Sequence, residues 1–115
     1  MTATLRITVL AVADAARSAA FYREAFGWRV AAETPVYVEL EADGGGRIGL
    51  YRREGYARNT GALPVAAPAG GLSPAELYLF VDDVAAASAR LSALGARLLS
   101  APALRPWGDE AAYHA

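Results

Sequence analysis

The same order of signals occurs twice along the chain, and this repetition restricts the possible folds more than any other feature. Val12, Asp14, Gly27 and Val30 recur as Val81, Asp83, Gly95 and Leu98. In each copy an apolar run ends at an aspartate whose carboxylate suits a helix N-cap. Helix-forming residues follow, a glycine stops them, and apolar residues resume. The capping Asp precedes the stopping Gly by 13 residues in the first copy and 12 in the second. Agreement of cap, helix length and stop predicts one strand-helix-strand unit used twice. The competing reading is a ferredoxin-like βαββαβ sheet with two similar helices. Three strands in a row after the first helix argue against it.

In the first copy, residues 7–12 are mostly apolar and β-branched, the signature of a strand. Ala19, Tyr22 and Phe26 then fall at helical spacing, leaving Arg17, Arg23 and Glu24 for solvent. Residues 30–32 resume strand character. Val36, Val38 and Leu40 alternate with Tyr37, Glu39 and Glu41, the period of a half-buried strand. Residues 43–46, Asp-Gly-Gly-Gly, predict a hairpin turn into a further strand over 48–51. No Lys or Thr opens a helix after those glycines, so a phosphate loop is not indicated. Residues 55–74 hold Pro64, Pro68 and Pro74 and show no periodicity. In the second copy, residues 77–81 predict a strand, and Val84, Ser88, Leu91 and Leu94 form one helix face ended by Gly95. Strands are expected at 96–99 and 111–114. The reading is an α+β single domain: module one about 1–58, linker about 59–74, module two about 75–115.

Composition excludes several function classes. Eleven basic against twelve acidic residues give a net charge of −1, without the basic field that nucleic acid or an anionic membrane requires. Cysteine is absent, which removes disulfides, zinc-thiolate sites and thiol nucleophiles. All the basic residues are arginine, so a lysine Schiff base is excluded too. No apolar run approaches the roughly 18 residues of a membrane span, and no export signal is read, so the expected location is cytoplasmic. A 115-residue domain with an open groove gains from pairing with a copy of itself, so a homodimer is expected.

Val12-Ala13-Asp14, Ser18, Phe21-Tyr22 and Phe26-Gly27-Trp28 resemble the V-x-D…S…FY…LG[FW] opening of the vicinal-oxygen-chelate superfamily, which comprises glyoxalases, bleomycin-resistance proteins and extradiol dioxygenases. Phe26 stands where leucine is commoner. Residues 76–84, Leu94-Gly95 and Pro106-Trp107-Gly108 resemble the family's second module and its PWG turn. The resemblance implies two βαβββ modules forming a U-shaped mixed sheet, with helices on the convex face and a ligand or metal in the concave groove. It also implies a last strand, after an Asp-Pro-Asp-Gly turn, for which residues 1–115 hold no counterpart.

Metal-dependent members of that family take His or Glu from the first, fourth, fifth and eighth strands. Seven residues before Asp14 stands Ile7, which has no lone pair. Residues 48–51 hold no His, Glu or Asp, although the Tyr51 phenol is an oxygen donor. Seven residues before Asp83 stands Glu76, a weak candidate ligand that reads equally well as an exposed carboxylate at a strand start. A divalent ion ordinarily needs three or more protein ligands, so no cofactor is expected. The alternative is one Zn, Ni, Fe or Mn ion completed by the last strand.

If Glu76 faces the groove, alternation brings Tyr78 and Phe80 with it and leaves Leu77, Leu79 and Val81 on the helix side. The same register puts Ile7, Val9 and Ala11 on the groove face of module one. Tyr37, Tyr51, Trp107 and Tyr113 are further candidates for the groove wall or for plain core. His114, the one imidazole, reads as a strand or turn residue first and a general base second. The expected function is metal-free binding of an aromatic or cationic small molecule, as in bleomycin-resistance proteins. The alternative is a metal-dependent lyase, isomerase or dioxygenase.

Overall fold

The two aspartates singled out by the repeat both cap helices. Asp14 Oδ1 accepts from the Arg17 backbone N–H at 3.1 Å, opening α1 (Ala15–Phe26). Asp83 Oδ1 accepts from the Ala86 N–H at 3.0 Å, opening α3 (Val84–Ala93). Gly27, at φ 70°, takes the left-handed conformation that ends α1, and its N–H closes on Arg23 O. At the second helix Leu94 is the C-cap and Gly95 follows at φ 98°. The computed structural model describes residues 1–115, in two units, Met1–Ala66 and Ala67–Ala115.

Unit 1 is a βαβββ module. Strands β1 (Thr8–Val12), β2 (Arg29–Glu33), β3 (Tyr37–Glu41) and β4 (Arg47–Arg52) form a mixed sheet in the order β1-β4-β3-β2. β1 and β4 run parallel, and the other pairs are antiparallel. The glycine turn between β3 and β4 is closed by Ala42 N–H to Gly46 O, 2.7 Å, with Gly44 and Gly45 at positive φ. Register assigns the two faces. Val38 and Leu40 pair with Leu50 and Ile48, and all four are buried with Ala15 and Ala19 of α1, forming the core of this unit. Tyr37, Glu39 and Glu41 pair with Tyr51, Gly49 and Arg47 on the opposite face, together with Val9 and Ala11 of β1. Tyr22 stacks on the buried Trp28 with ring planes 3° apart, fixing the exit from α1.

An unexpected helix, α2 (Arg53–Thr60), occupies the start of the stretch that lacks sequence periodicity. Its buried Gly55 lies against the Tyr51 ring, where a Cβ would collide. Packing decides this helix, and periodicity cannot reveal it.

In unit 2, α3 is followed by β5 (Leu98–Leu104) and β6 (Glu110–His114), an antiparallel hairpin. β5 runs past the expected end at residue 99. Pro102 is accommodated because the ladder shifts register between Ser100 and Ala103. The strand expected over residues 77–81 does not form a ladder. The corresponding β1 of unit 1 is held by β4, and unit 2 has no strand in that position, so the backbone groups of 77–81 have no neighbour to bond. The consequence reaches the side chains: Leu79 and Val81, expected on a covered face, are each 39% exposed, and only Leu77 is half-buried. No helix is long and apolar enough to cross a membrane.

Leu50 is completely buried, so Leu50→Ala should cost about 2–5 kcal/mol in urea unfolding. Leu79→Ala should cost less than about 2 kcal/mol, because much of its surface already meets water. Equal losses would contradict the assignment of the core to unit 1.

Candidate functional site

On the open face of the unit 1 sheet, β3 and β4 assemble a polar cluster. Glu39 is only 8% exposed, yet both its carboxylate oxygens have donors. Tyr37 Oη donates to Oε1 at 2.8 Å, and Arg47 Nη1 donates to Oε2 at 2.6 Å. The Tyr37 ring reaches this position by lying across Gly49, where a Cβ would stand 2.5 Å from the phenol oxygen. A mid-strand glycine is thus needed for close approach. The bonds from Tyr37 and then Arg47 hold the Glu39 carboxyl below the usual carboxylate range, against the opposing effect of burial, and Arg6 adds to the lowering. Burial first, and the bond to Glu39 second, push the Tyr37 phenol up to about 12. Tyr51 meets Tyr37 edge-on with centroids 5.2 Å apart, and Asn59 of α2 donates to its phenol oxygen at 3.2 Å.

Unit 2 gathers a second cluster around the turn between β5 and β6. Arg105 N–H to Asp109 O, at 2.7 Å, and Gly108 at φ 99° shape that turn and present Trp107. The Trp107 indole N–H donates to Tyr78 Oη at 2.9 Å, and Tyr78 Oη donates to Asp109 Oδ2 at 2.7 Å. The Trp107 N–H pulls the Tyr78 phenol's pKa down, but Asp109, as acceptor of its proton, outweighs it with the loss of water, and the net shift is upward. Phe80 lies edge-on to Tyr78 with centroids 6.1 Å apart. The exposures are 44% for Tyr78, 57% for Trp107 and 88% for Phe80, so three aromatic rings are open to solvent beside the half-buried Asp109.

The remaining sequence candidates lie as follows. Val9 is on the Tyr37 face opposite Gly49, and half-buried Ile7 immediately precedes β1. Tyr113 lies under the Arg105 guanidinium, 5.2 Å from ring centroid to Cζ. Arg105 is otherwise bound to Ser100 Oγ, Ala101 O and Ala111 O, so it braces the hairpin. Glu76 is exposed and has no bonded partner, whereas Asp109 is the carboxylate at Tyr78. His114 ends β6 with Nε2 3.2 Å from Ser88 Oγ. Ser88 is only 7% exposed, so this pair ties α3 to the hairpin and cannot present a nucleophile. A cleft of about 460 Å³ between α1 and the β2–β3 connection, lined by Ala16, Ala20, Thr34 and Pro35, lies on the helix side of the unit 1 sheet.

Sequence reasoning missed Glu39, Arg47 and Asp109. Glu39 fell on the polar side of an alternating pattern, which normally faces water, and Arg47 lay just before the strand expected over 48–51. The available signal was Gly49, a glycine inside a strand that marks close approach of another group. Asp109 follows the turn directly and is brought to Tyr78 only by a contact 31 residues away in sequence.

These residues do not suit a divalent metal. Ile7 offers no donor, Glu39 already has a donor on each oxygen, Glu76 stands alone, and no three His, Cys, Asp or Glu side chains converge.

Because the folded-state pKa of Glu39 is lowered, its stabilising contribution is complete above the ordinary value near 4.5 and fades as pH falls through the lowered one. Urea unfolding between pH 7 and pH 3 should therefore show a steeper acid loss in the wild type than in Glu39→Gln. Parallel curves would contradict the bonding described. Arg47→Met should cost about 1–3 kcal/mol at pH 7, since it leaves a buried acceptor without its donor.

Solved structures with the same fold include a glyoxalase-related enzyme from Fulvimarina pelagi, 25% identical, covering 97% of this chain and 79% of that one with a TM-score of 0.77. TioX from Micromonospora sp. ML1 is also 25% identical, with 97% and 89% coverage and a TM-score of 0.64. A glyoxalase/bleomycin resistance protein/dioxygenase from Nocardioides is 23% identical, with 100% and 77% coverage and a TM-score of 0.75. No curated protein matches. The family model described as Glyoxalase/Bleomycin resistance protein/Dioxygenase superfamily matches residues 4–113, and the chain belongs to that superfamily.

Proposed function

We propose that the chain is a small-molecule-binding protein of the glyoxalase and bleomycin-resistance type, metal-free, that holds an aromatic cation. The observation that carries this reading is the cluster of Tyr78, Phe80, Trp107 and Asp109. Exposed rings of this size are costly to leave in water, and a planar ligand stacked on them removes apolar area. A ligand cation over the rings gains from their negative faces, and Asp109 supplies the opposing charge. Asp109 is oriented by Tyr78, and Tyr78 in turn by Trp107, so the cluster is organised before any ligand arrives.

The donor set described above supports binding without metal. The superfamily's metal-dependent lyase, isomerase and dioxygenase chemistry has no observation here that favours it. We further propose a homodimer. Leu98, Leu99 and Leu104 of β5 are 39–78% exposed, apolar area that a second copy could cover.

Calorimetric titration should find phenyltrimethylammonium bound more tightly than its neutral isostere tert-butylbenzene. Asp109→Asn should weaken the cation by about 1 kcal/mol and Trp107→Ala by about 1–2 kcal/mol, with Glu76→Gln nearly neutral. Loss of affinity in Glu76→Gln alone would move the site away from the turn. No preference for the cation would end the reading. A dialysed sample should sediment as a dimer and carry well under one divalent metal per chain by elemental analysis. Stoichiometric zinc, nickel, iron or manganese would contradict the metal-free proposal, and a monomer at high micromolar concentration would contradict the dimer.

A further inference from the structure

The hydrogen bonds around the unit 2 turn narrow what it can hold. The Trp107 indole has one polar group, its N–H, and gives it to Tyr78 Oη. The Tyr78 phenol has one proton, and gives it to Asp109 Oδ2. Phe80 has none to give. No donor is left among these side chains, so a carboxylate or phenolate ligand finds no partner in them.

What is left accepts. Asp109 makes its side-chain bond through Oδ2, and Oδ1 has no partner in the protein. No buried side-chain oxygen or nitrogen is without a partner, so water reaches this unbonded Oδ1 although the residue is half-buried. No arginine neutralises the carboxylate. Arg105, at the start of the turn, commits its guanidinium to Ser100 Oγ, Ala101 O and Ala111 O, and the adjacent Glu110 has the same sign as Asp109. Oδ2 is tied to Tyr78 and Tyr78 to Trp107, so Oδ1 is held in a fixed direction before a ligand arrives.

We infer that the ligand this turn selects is a protonated arylalkylamine, whose ring lies on Trp107 and whose N–H donates to Asp109 Oδ1. The inference rests on the aromatic-cation reading above and goes beyond it. Charge and attraction to the ring faces serve a quaternary ammonium as well as an amine. A charge-assisted bond to a carboxylate serves only the cation that still carries a proton. Each methyl placed on the nitrogen adds apolar area, which favours binding, until the last one removes the N–H. The two effects part at a single step, from tertiary to quaternary.

The test is calorimetric titration at pH 7 and low salt of benzylammonium, benzylmethylammonium, benzyldimethylammonium and benzyltrimethylammonium, with neutral benzyl alcohol for comparison. Affinity should hold or rise through the first three and fall about tenfold at the fourth. Asp109→Asn has one acceptor oxygen, which Tyr78 uses, and an amide NH2 in place of Oδ1. In that variant the tertiary cation should lose about tenfold more affinity than the quaternary one, so that the step disappears, with little change in thermal melting. Quaternary binding as tight as tertiary, or a step that persists in Asp109→Asn, would overturn the inference and leave the aromatic-cation reading standing. Four cations that bind no tighter than benzyl alcohol would overturn both. Should Asp109→Asn fail to fold, the wild-type series decides the matter.

Discussion

A carboxylate removed from water must be met by donors on both oxygens, and the face of the unit 1 sheet is laid out around that requirement at Glu39. Tyr37 and Arg47 supply the donors from either side. Tyr37 can do so only because Gly49 has no side chain, and Tyr37 in turn gives Tyr51 an edge to pack against. The Tyr51 ring occupies the space above Gly55 and so helps to seat α2. One buried charge therefore links two strands, a mid-strand glycine and a helix that local sequence does not announce. The opposite face of the same sheet, with Val38, Leu40, Ile48 and Leu50, is an ordinary apolar core under α1.

Unit 2 solves its polar requirements differently. Its carboxylate, Asp109, is bonded at the surface, and its rings stay exposed. Arg105, with four bonds to Ser100, Ala101 and Ala111, carries the rigidity that Glu39 provides in unit 1. Segment 77–81 remains without a ladder, and Phe80 is left almost fully open to water.

Much of the fold was legible because its signals are local. Asp14, Asp83, Gly27 and Gly95 act through contacts within four residues, and the glycine turn at 43–46 does the same. The signals that failed depend on distant neighbours. A strand at 77–81 needs a partner that unit 2 does not contain, α2 needs the Tyr51 ring, and β5 continues through Pro102 because a register shift accepts it. The site divides in the same way. Tyr37, Tyr51, Tyr78, Phe80 and Trp107 were legible as candidate aromatic residues. The charged groups that organise them, Glu39, Arg47 and Asp109, looked like solvent-facing residues until pairing brought them to the phenols.

The two clusters differ in how well they are buffered against water, which makes the exposed one the better place to look for a ligand. Amide and indole chemical-shift mapping during addition of phenyltrimethylammonium tests this directly. The shifts should concentrate on Tyr78, Phe80, Asp109 and the Trp107 indole N–H, and the Trp107 signal should move in proportion to occupancy. Shifts confined to the cleft beside Ala16 and Thr34, or no shifts at millimolar ligand, would contradict a binding role for the turn.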